Sequence, residues 1–233
     1  TELDFAGRPV VELDGSAAGT DAVALRIIAG PSTVRGLAIN RFASDAIQLG
    51  PAGGNVVEGN FIGTDVTGMI ALGNGADGVF IFNGSFGNRV GTNGDGVNDA
   101  AEGNLISGNG QAGIRIFGPG ADDNVVAGNL IGTDGTGRVA MGNMFDGVAI
   151  QGGAQRNRIG TNGDGVADVA ERNLISANLS SGVRIHDSGS DDNVVAGNFL
   201  GTDITGTLAL GNNFDGVAIH VGAQRNRVGT NGD

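Results

Sequence analysis

Asn55-Val-Val-Glu-Gly-Asn-Phe-Ile-Gly-Thr-Asp65 decides the fold, because it comes back twice. It returns as Asn124-Val-Val-Ala-Gly-Asn-Leu-Ile-Gly-Thr-Asp134 and again from Asn193 to Asp203, each time after 69 residues. A second stretch, Asn88-Arg-Val-Gly-Thr-Asn-Gly-Asp95, returns from Asn157, with Ile159 in place of Val90, and again from Asn226. Self-similarity at a fixed step marks a repeat architecture. Each 69 residues hold two similar halves, marked by Gly-apolar-x-apolar at Gly78, Gly113, Gly147, Gly182 and Gly216, with steps of 35, 34, 35 and 34.

Each half carries three short strands. In the half from Gly113 they fall at 113–116, 124–127 and 129–132. Three strands per turn, separated by Gly and Asn, describe one coil of a parallel β-helix. The halves from Gly78 and Gly147 carry a long Thr-Asn-Gly-Asp-Gly loop between strands two and three. The halves from Gly113 and Gly182 carry it after strand three, as Gly-Thr-Asp-x-Thr-Gly. The expected architecture is therefore all-β, with three short strands per coil, about seven to eight coils, and long loops alternating between two turn positions. Coils begin near 24, 46, 78, 113, 147, 182 and 216, with a partial one near Val10–Leu13. The whole of 1–233 forms one domain. Because Asn231-Gly232-Asp233 falls inside a repeat, the chain is expected to be a fragment of a longer repeat protein.

One coil cannot bury its own apolar side chains, whereas stacked coils bury a continuous column. Alternation along a strand points Val79, Ile114, Val148, Val183 and Val217 inward, and Ile81, Ile116, Ile150, Ile185 and Ile219 with them. Val90, Val126, Ile159, Val195 and Val228 form a second column; Ile62, Ile106, Ile131, Ile175 and Leu200 form a third. Asn60, Asn104, Asn129, Asn173 and Asn198 align at a bend, where side-chain amides can bond from coil to coil.

The composition fits and excludes. Glycine numbers 46, yet 39% of the residues are apolar, too many for disorder. There is no Cys, so neither disulfides nor thiolate metal sites exist. All 13 basic residues are Arg, and the net charge is −12. That balance argues against nucleic acid, which needs a basic face, and against anionic membranes, and it favours divalent cations. No apolar run approaches the ~20 residues of a membrane span, so no membrane insertion is expected.

The pattern Gly-Val-x-Ile … Asn-x-Ile/Val … Asn-Leu-Ile-Ser/Gly, with Val11-Glu-Leu-Asp-Gly15, Gly59-Asn-Phe-Ile-Gly-Thr-Asp65 and Asn104-Leu-Ile-Ser107, resembles the right-handed parallel β-helix repeat proteins of the pectate-lyase-like superfamily, and most closely the repeats of large bacterial extracellular and surface proteins. The resemblance covers nearly the whole chain. It implies a right-handed coil and an extracellular or cell-surface location in bacteria. It says little of activity, since the fold hosts lyases, hydrolases, epimerases, adhesins and spikes.

Several constellations could carry chemistry. Asn93, Asp95, Asp99 and Glu102 stand at the third, fifth, ninth and twelfth places of an EF-hand-like calcium loop. Gly96 stands at the sharp turn, and the Val97 carbonyl at the seventh place. The second copy offers Asn162, Asp164, Val166, Asp168 and Glu171. The first place is Gly91 or Gly160 rather than Asp, so Ca²⁺ is expected to bind weakly if at all; a polar turn without metal is the other reading. The pairs Asp122-Asp123 and Asp191-Asp192 alternate with Arg156 and Arg225 and read as an exposed charge ladder. Paired carboxylates are also the acid and base of β-helix glycosidases. His186 and His220 share register with Phe117 and Gln151 and read as ordinary turn positions. Arg115 and Arg184 could serve as a lyase base only beside carboxylates, and the strand pattern places none there. The Gly-Thr-Asp-x-Thr-Gly loops lack the Lys of a phosphate loop; stacked on one flank, they could meet a repetitive partner such as a glycan.

Taken together, the sequence points to an extracellular structural or adhesive solenoid module. Calcium would stiffen it, a glycan or surface ligand would bind it, and unpaired strand edges at the coil ends would allow self-association. The alternative is a carbohydrate-active enzyme, a lyase or hydrolase acting on acidic polysaccharide. Near-identical repeats weigh against a single catalytic centre.

Overall fold

The computed structural model describes residues 8–229. The third Thr-Asn-Gly-Asp stretch, at 230–233, lies outside the described residues. The chain winds as a right-handed parallel β-helix, three strands to a coil, and the strands stack into three seven-stranded sheets.

The first sheet comprises Val11–Asp14, Leu37–Asn40, Phe61–Ile62, Leu105–Ile106, Leu130–Ile131, Leu174–Ile175 and Phe199–Leu200. The second comprises Leu25–Ile27, Ile47–Leu49, Val79–Ile81, Ile114–Phe117, Val148–Gln151, Val183–His186 and Val217–His220. The third comprises Thr33–Arg35, Val56–Glu58, Arg89–Gly91, Val125–Ala127, Arg158–Gly160, Val194–Ala196 and Arg227–Val228.

The apolar columns stack in the expected register. Ile81 pairs with Ile116, Ile116 with Ile150, Ile150 with Ile185 and Ile185 with Ile219. Val90, Val126, Ile159, Val195 and Val228 follow one another in the third sheet. All are buried except in the outermost strands, where Ile219 and Val228 are exposed, because no described coil covers them. β-branched side chains suit this pleated, close-packed interior. Deleting one mid-stack, as in Ile116→Ala, is expected to cost about 2–5 kcal/mol.

The coil corners are held by asparagine. Asn60 donates through Nδ2 to Asn104 Oδ1 at 3.0 Å, Asn104 to Asn129 at 2.9 Å, Asn129 to Asn173 at 2.9 Å and Asn173 to Asn198 at 2.9 Å. Two further ladders run beside this one. Asn55, Asn88, Asn124, Asn157, Asn193 and Asn226 form the second. Asn74, Asn109, Asn143, Asn178 and Asn212 form the third. Each amide satisfies buried main-chain groups that the bends would otherwise leave unpaired: Asn129 Nδ2 also reaches the carbonyls of Val90 and Ala127.

One short helix, Asp99–Glu102, interrupts the all-β pattern inside the first Asn-Gly-Asp-Gly loop. Among the described residues no helix is long and apolar enough to cross a membrane.

Candidate functional site

The most built-up polar site lies on the outer face of the second sheet. Outward positions there read Gln48, Phe80, Arg115, Ala149, Arg184 and Ala218 from coil to coil. Arg115 Nη2 lies 2.5 Å from Asp77 Oδ2, and Arg184 Nη2 lies 2.6 Å from Asp146 Oδ2. Both carboxylates are buried. The expectation that no carboxylate stands near these arginines is thus corrected. Asp77 and Asp146 precede the Gly that opens each strand, outside the alternating pattern, and each Arg reaches back one coil to meet them.

Each carboxylate is also tied to the next coil's main chain. Asp77 Oδ1 accepts from Ala112 N–H at 3.0 Å, and Asp146 Oδ1 from Ser181 N–H at 3.1 Å. Burial pushes the Asp77 carboxyl up to about 6; Arg115 pulls it down, and neighbouring Asp45 pushes it further up. The guanidinium of Arg115 sits 4.2 Å over the Phe80 ring, a cation–π contact. The Nε of each arginine is buried without a hydrogen-bond partner. Between the two pairs, small Ala149 leaves a pocket of about 160 Å³ bordered by Gln111, Phe145 and Gln151. Such a pocket can take a small polar group.

The expected calcium donors close their loops among themselves. Gly91, at a φ of 103°, starts the first loop, and a Cβ there would overlap the Ala127 carbonyl. Asp99 accepts from the Thr92 hydroxyl at 2.7 Å and Gly96 N–H at 3.0 Å. Glu102 accepts from Thr92, Asn93 N–H and Arg89. Asp95 accepts from Val97 N–H at 2.8 Å and the Asn93 amide at 2.9 Å, and Asn93 Oδ1 accepts from Asp95 N–H. The second copy repeats this. Asp168 takes Thr161 and Gly165, Glu171 takes Asn162 N–H and Arg158, and Asp164 takes Val166 N–H and Asn162. Asp99, Glu102 and Glu171 are buried, whereas Asp95, Asp164, Val97 and Val166 are exposed. Among the described residues no three His, Asp or Glu side chains come together as a metal cluster.

The charge ladder takes the expected register as two clusters. Arg156 bonds Asp123 at 3.0 Å and Asp122 at 3.1 Å; Arg225 bonds Asp192 at 2.8 Å and Asp191 at 3.2 Å. Asp123, Arg156, Asp192 and Arg225 all adopt a left-handed backbone with φ of 55–59°. His186 and His220 pack edge to face at 4.7 Å, and His186 Nδ1 lies 2.5 Å from Asp187.

The Gly-Thr-Asp-x-Thr-Gly loops fold over the first sheet. Asp65 accepts from the Thr67 hydroxyl and from Met69 and Ile70 N–H. Burial raises the carboxyls of Asp65, Asp134 and Asp203, but these threonine and main-chain donors outweigh it and hold all three below the usual range. The loops bond to one another, Gly135 N–H to Gly68 O and Ile204 N–H to Gly137 O. A groove of about 270 Å³ with Phe61, Leu105 and Leu130 in its lining runs beside them.

No protein-family model, no curated protein and no solved structure matches this chain.

Proposed function

We propose that this chain is a structural or adhesive module of a bacterial extracellular or surface protein. The observation that carries it is duplication. Arg115–Asp77 and Arg184–Asp146 recur 69 residues apart at 2.5 and 2.6 Å. So do Arg156–Asp123 and Arg225–Asp192, and Thr92–Asp99 and Thr161–Asp168. A catalytic centre needs one place where converging groups break the symmetry; repetition instead suits a rigid surface that meets a periodic partner, such as a glycan. Self-association along strand edges belongs to the same reading. The test is fractionation of the producing cells with an antibody to this domain. Signal at the surface or in the medium supports the proposal; signal confined to the cytosol refutes it.

Calcium belongs to this proposal as an extra ligand of the Asn-Gly-Asp-Gly loops. Its support is the spacing of the oxygen donors in both copies, and binding would have to exchange the loop's own hydrogen bonds. Melting curves with calcium and with EDTA decide. A calcium shift lost in Asp95→Ala plus Asp164→Ala assigns the loops; identical curves leave them as turns.

A second reading, a polysaccharide lyase, is favoured by one observation: a carboxylate does stand beside each of Arg115 and Arg184. An Arg beside carboxylates is the arrangement that the resemblance associates with lyases of this fold.

A further inference from the structure

Among the described residues five Asn-Gly pairs occur, at Asn74, Asn83, Asn93, Asn109 and Asn162. Asn-Gly is chemically special. Without a Cβ on the following residue, its main-chain nitrogen can approach the asparagine side-chain carbonyl carbon. The surrounding fold decides whether that approach happens.

Four of the pairs are locked. Asn74 and Asn109 are buried rungs of one ladder, and their glycine N–H groups donate to Phe42 O and Asn74 O. Asn93 and Asn162 are more open, but each side chain is fixed at both ends by the Asp two residues on. Gly94 and Gly163 N–H donate to the hydroxyls of Thr92 and Thr161. Each lock holds both the attacking nitrogen and the target amide.

Asn83-Gly84 has neither lock. It occupies the centre of a tight turn closed by Ser85 N–H to Phe82 O at 3.1 Å, with φ of 53° and 74°. This is the left-handed pair that Asn-Gly favours. Asn83 is exposed. Among the described residues its side chain has no hydrogen-bond partner, nor does the Gly84 N–H. The space around Gly84 is open, its nearest neighbour for an added Cβ being Pro119 O at 3.8 Å. The left-handed pair recurs at Gly152-Gly153 and Val221-Gly222, but only this coil fills it with Asn-Gly. In the same register the preceding coil carries Pro51 and the later ones Gly118, Gly152, Asp187 and Val221.

We infer that Asn83 is a site of spontaneous covalent modification. Gly84 N attacks Asn83 Cγ, a N–C bond forms, and the bond from Cγ to Nδ2 breaks. The Gly84 proton leaves with the side-chain nitrogen as ammonia. Water then opens the succinimide to aspartate or isoaspartate, with no oxidant or reductant involved. Either product puts a carboxylate where another coil already carries Asp187. The isoaspartyl product also lengthens the main chain next to Ser85, whose hydroxyl donates to Ala52 O at 2.6 Å and accepts from ladder residue Asn88 at 3.0 Å.

The test incubates the whole native chain, and the chain unfolded in urea, in mildly alkaline buffer at physiological temperature. Conversion at each Asn-Gly is then followed by peptide mapping with isoaspartate detection. Asn83 is expected to convert several times faster than the other four in the native chain and at a similar rate to them in urea. Asn83→Gln should remove the fast signal and leave the rest unchanged. Conversion of Asn74, Asn93, Asn109 or Asn162 as fast as Asn83 in the native chain would overturn the inference. So would a native chain in which Asn83 stays intact while the unfolded chain reacts.

Discussion

Asp77–Arg115 and Asp146–Arg184 are the same construction built twice, and their differences show what a repeat fixes and what it leaves free. In both, a buried Asp just ahead of a strand accepts from the next coil's main chain and pairs with an Arg one coil on. Geometry is set by the stacking. The surroundings are not. Below Arg115 lies Phe80; below Arg184 lies Ala149. Asp77 N–H donates to Asp45 at 2.9 Å, so a second carboxylate crowds the first pair. The position one coil before Asp146 is Ala112, which is uncharged. The scaffold therefore sets position, and neighbours one coil away set the electrostatics.

The largest effect expected from this asymmetry is a pH dependence carried by Asp77. Its carboxyl holds the proton more tightly when folded, near pH 6, than when unfolded, near 3.8. The resulting stabilisation is complete below about pH 4 and is lost as the pH rises through 6. It amounts to about 3 kcal/mol. Urea unfolding of the wild type and Asp77→Asn across that window should show the wild type losing about 3 kcal/mol relative to the variant as the pH rises. A constant difference would contradict it.

Removing a carboxylate outright comes next. Asp146→Ala strands a partly covered guanidinium and the Ser181 N–H. The loss is expected to be about 2–3 kcal/mol, less than for a fully buried pair because Arg184 keeps some solvent. Phe80→Ala should cost about 1 kcal/mol through the cation–π contact beyond the lost ring burial, and should leave the Asp45 crowding of the first pair in place. Smallest are Arg156→Ala and Arg225→Ala. Their exposed clusters should each change stability by less than about 1 kcal/mol, with the effect fading in high salt. A larger loss for either would mean that its left-handed turn depends on the ion pair.

Much of this was legible in the sequence, because a repeat prints its own register. The step from Asn55 to Asn124 aligns every column, and once Ile81 and Ile116 are stacked the remaining apolar positions follow. The ladder through Asn60 could be read the same way. The other two ladders carried the same signal, Asn55 and Asn88 opening their stretches and Asn74 and Asn109 recurring 35 residues apart, and the same coil-to-coil alignment that showed the Asn60 ladder brings them out. Asp77 and Asp146 escaped the strand pattern. Period two places side chains within a strand, and these residues stand just outside one, so only the coil-to-coil stacking brings them to Arg115 and Arg184. In the Asn-Gly-Asp-Gly loops, spacing alone could not show that Thr92 and Thr161 turn the carboxylates toward the loop's own donors.

The central claim is that the paired Asp–Arg clusters are repeated structural features rather than one catalytic centre. Its most direct test is the release of unsaturated uronides from polygalacturonate and alginate, with and without calcium, by the wild type and by Arg115→Ala and Arg184→Ala. The account predicts no product from any of the three proteins. Product from the wild type that vanishes in one variant and persists in the other would identify a unique active site and contradict it.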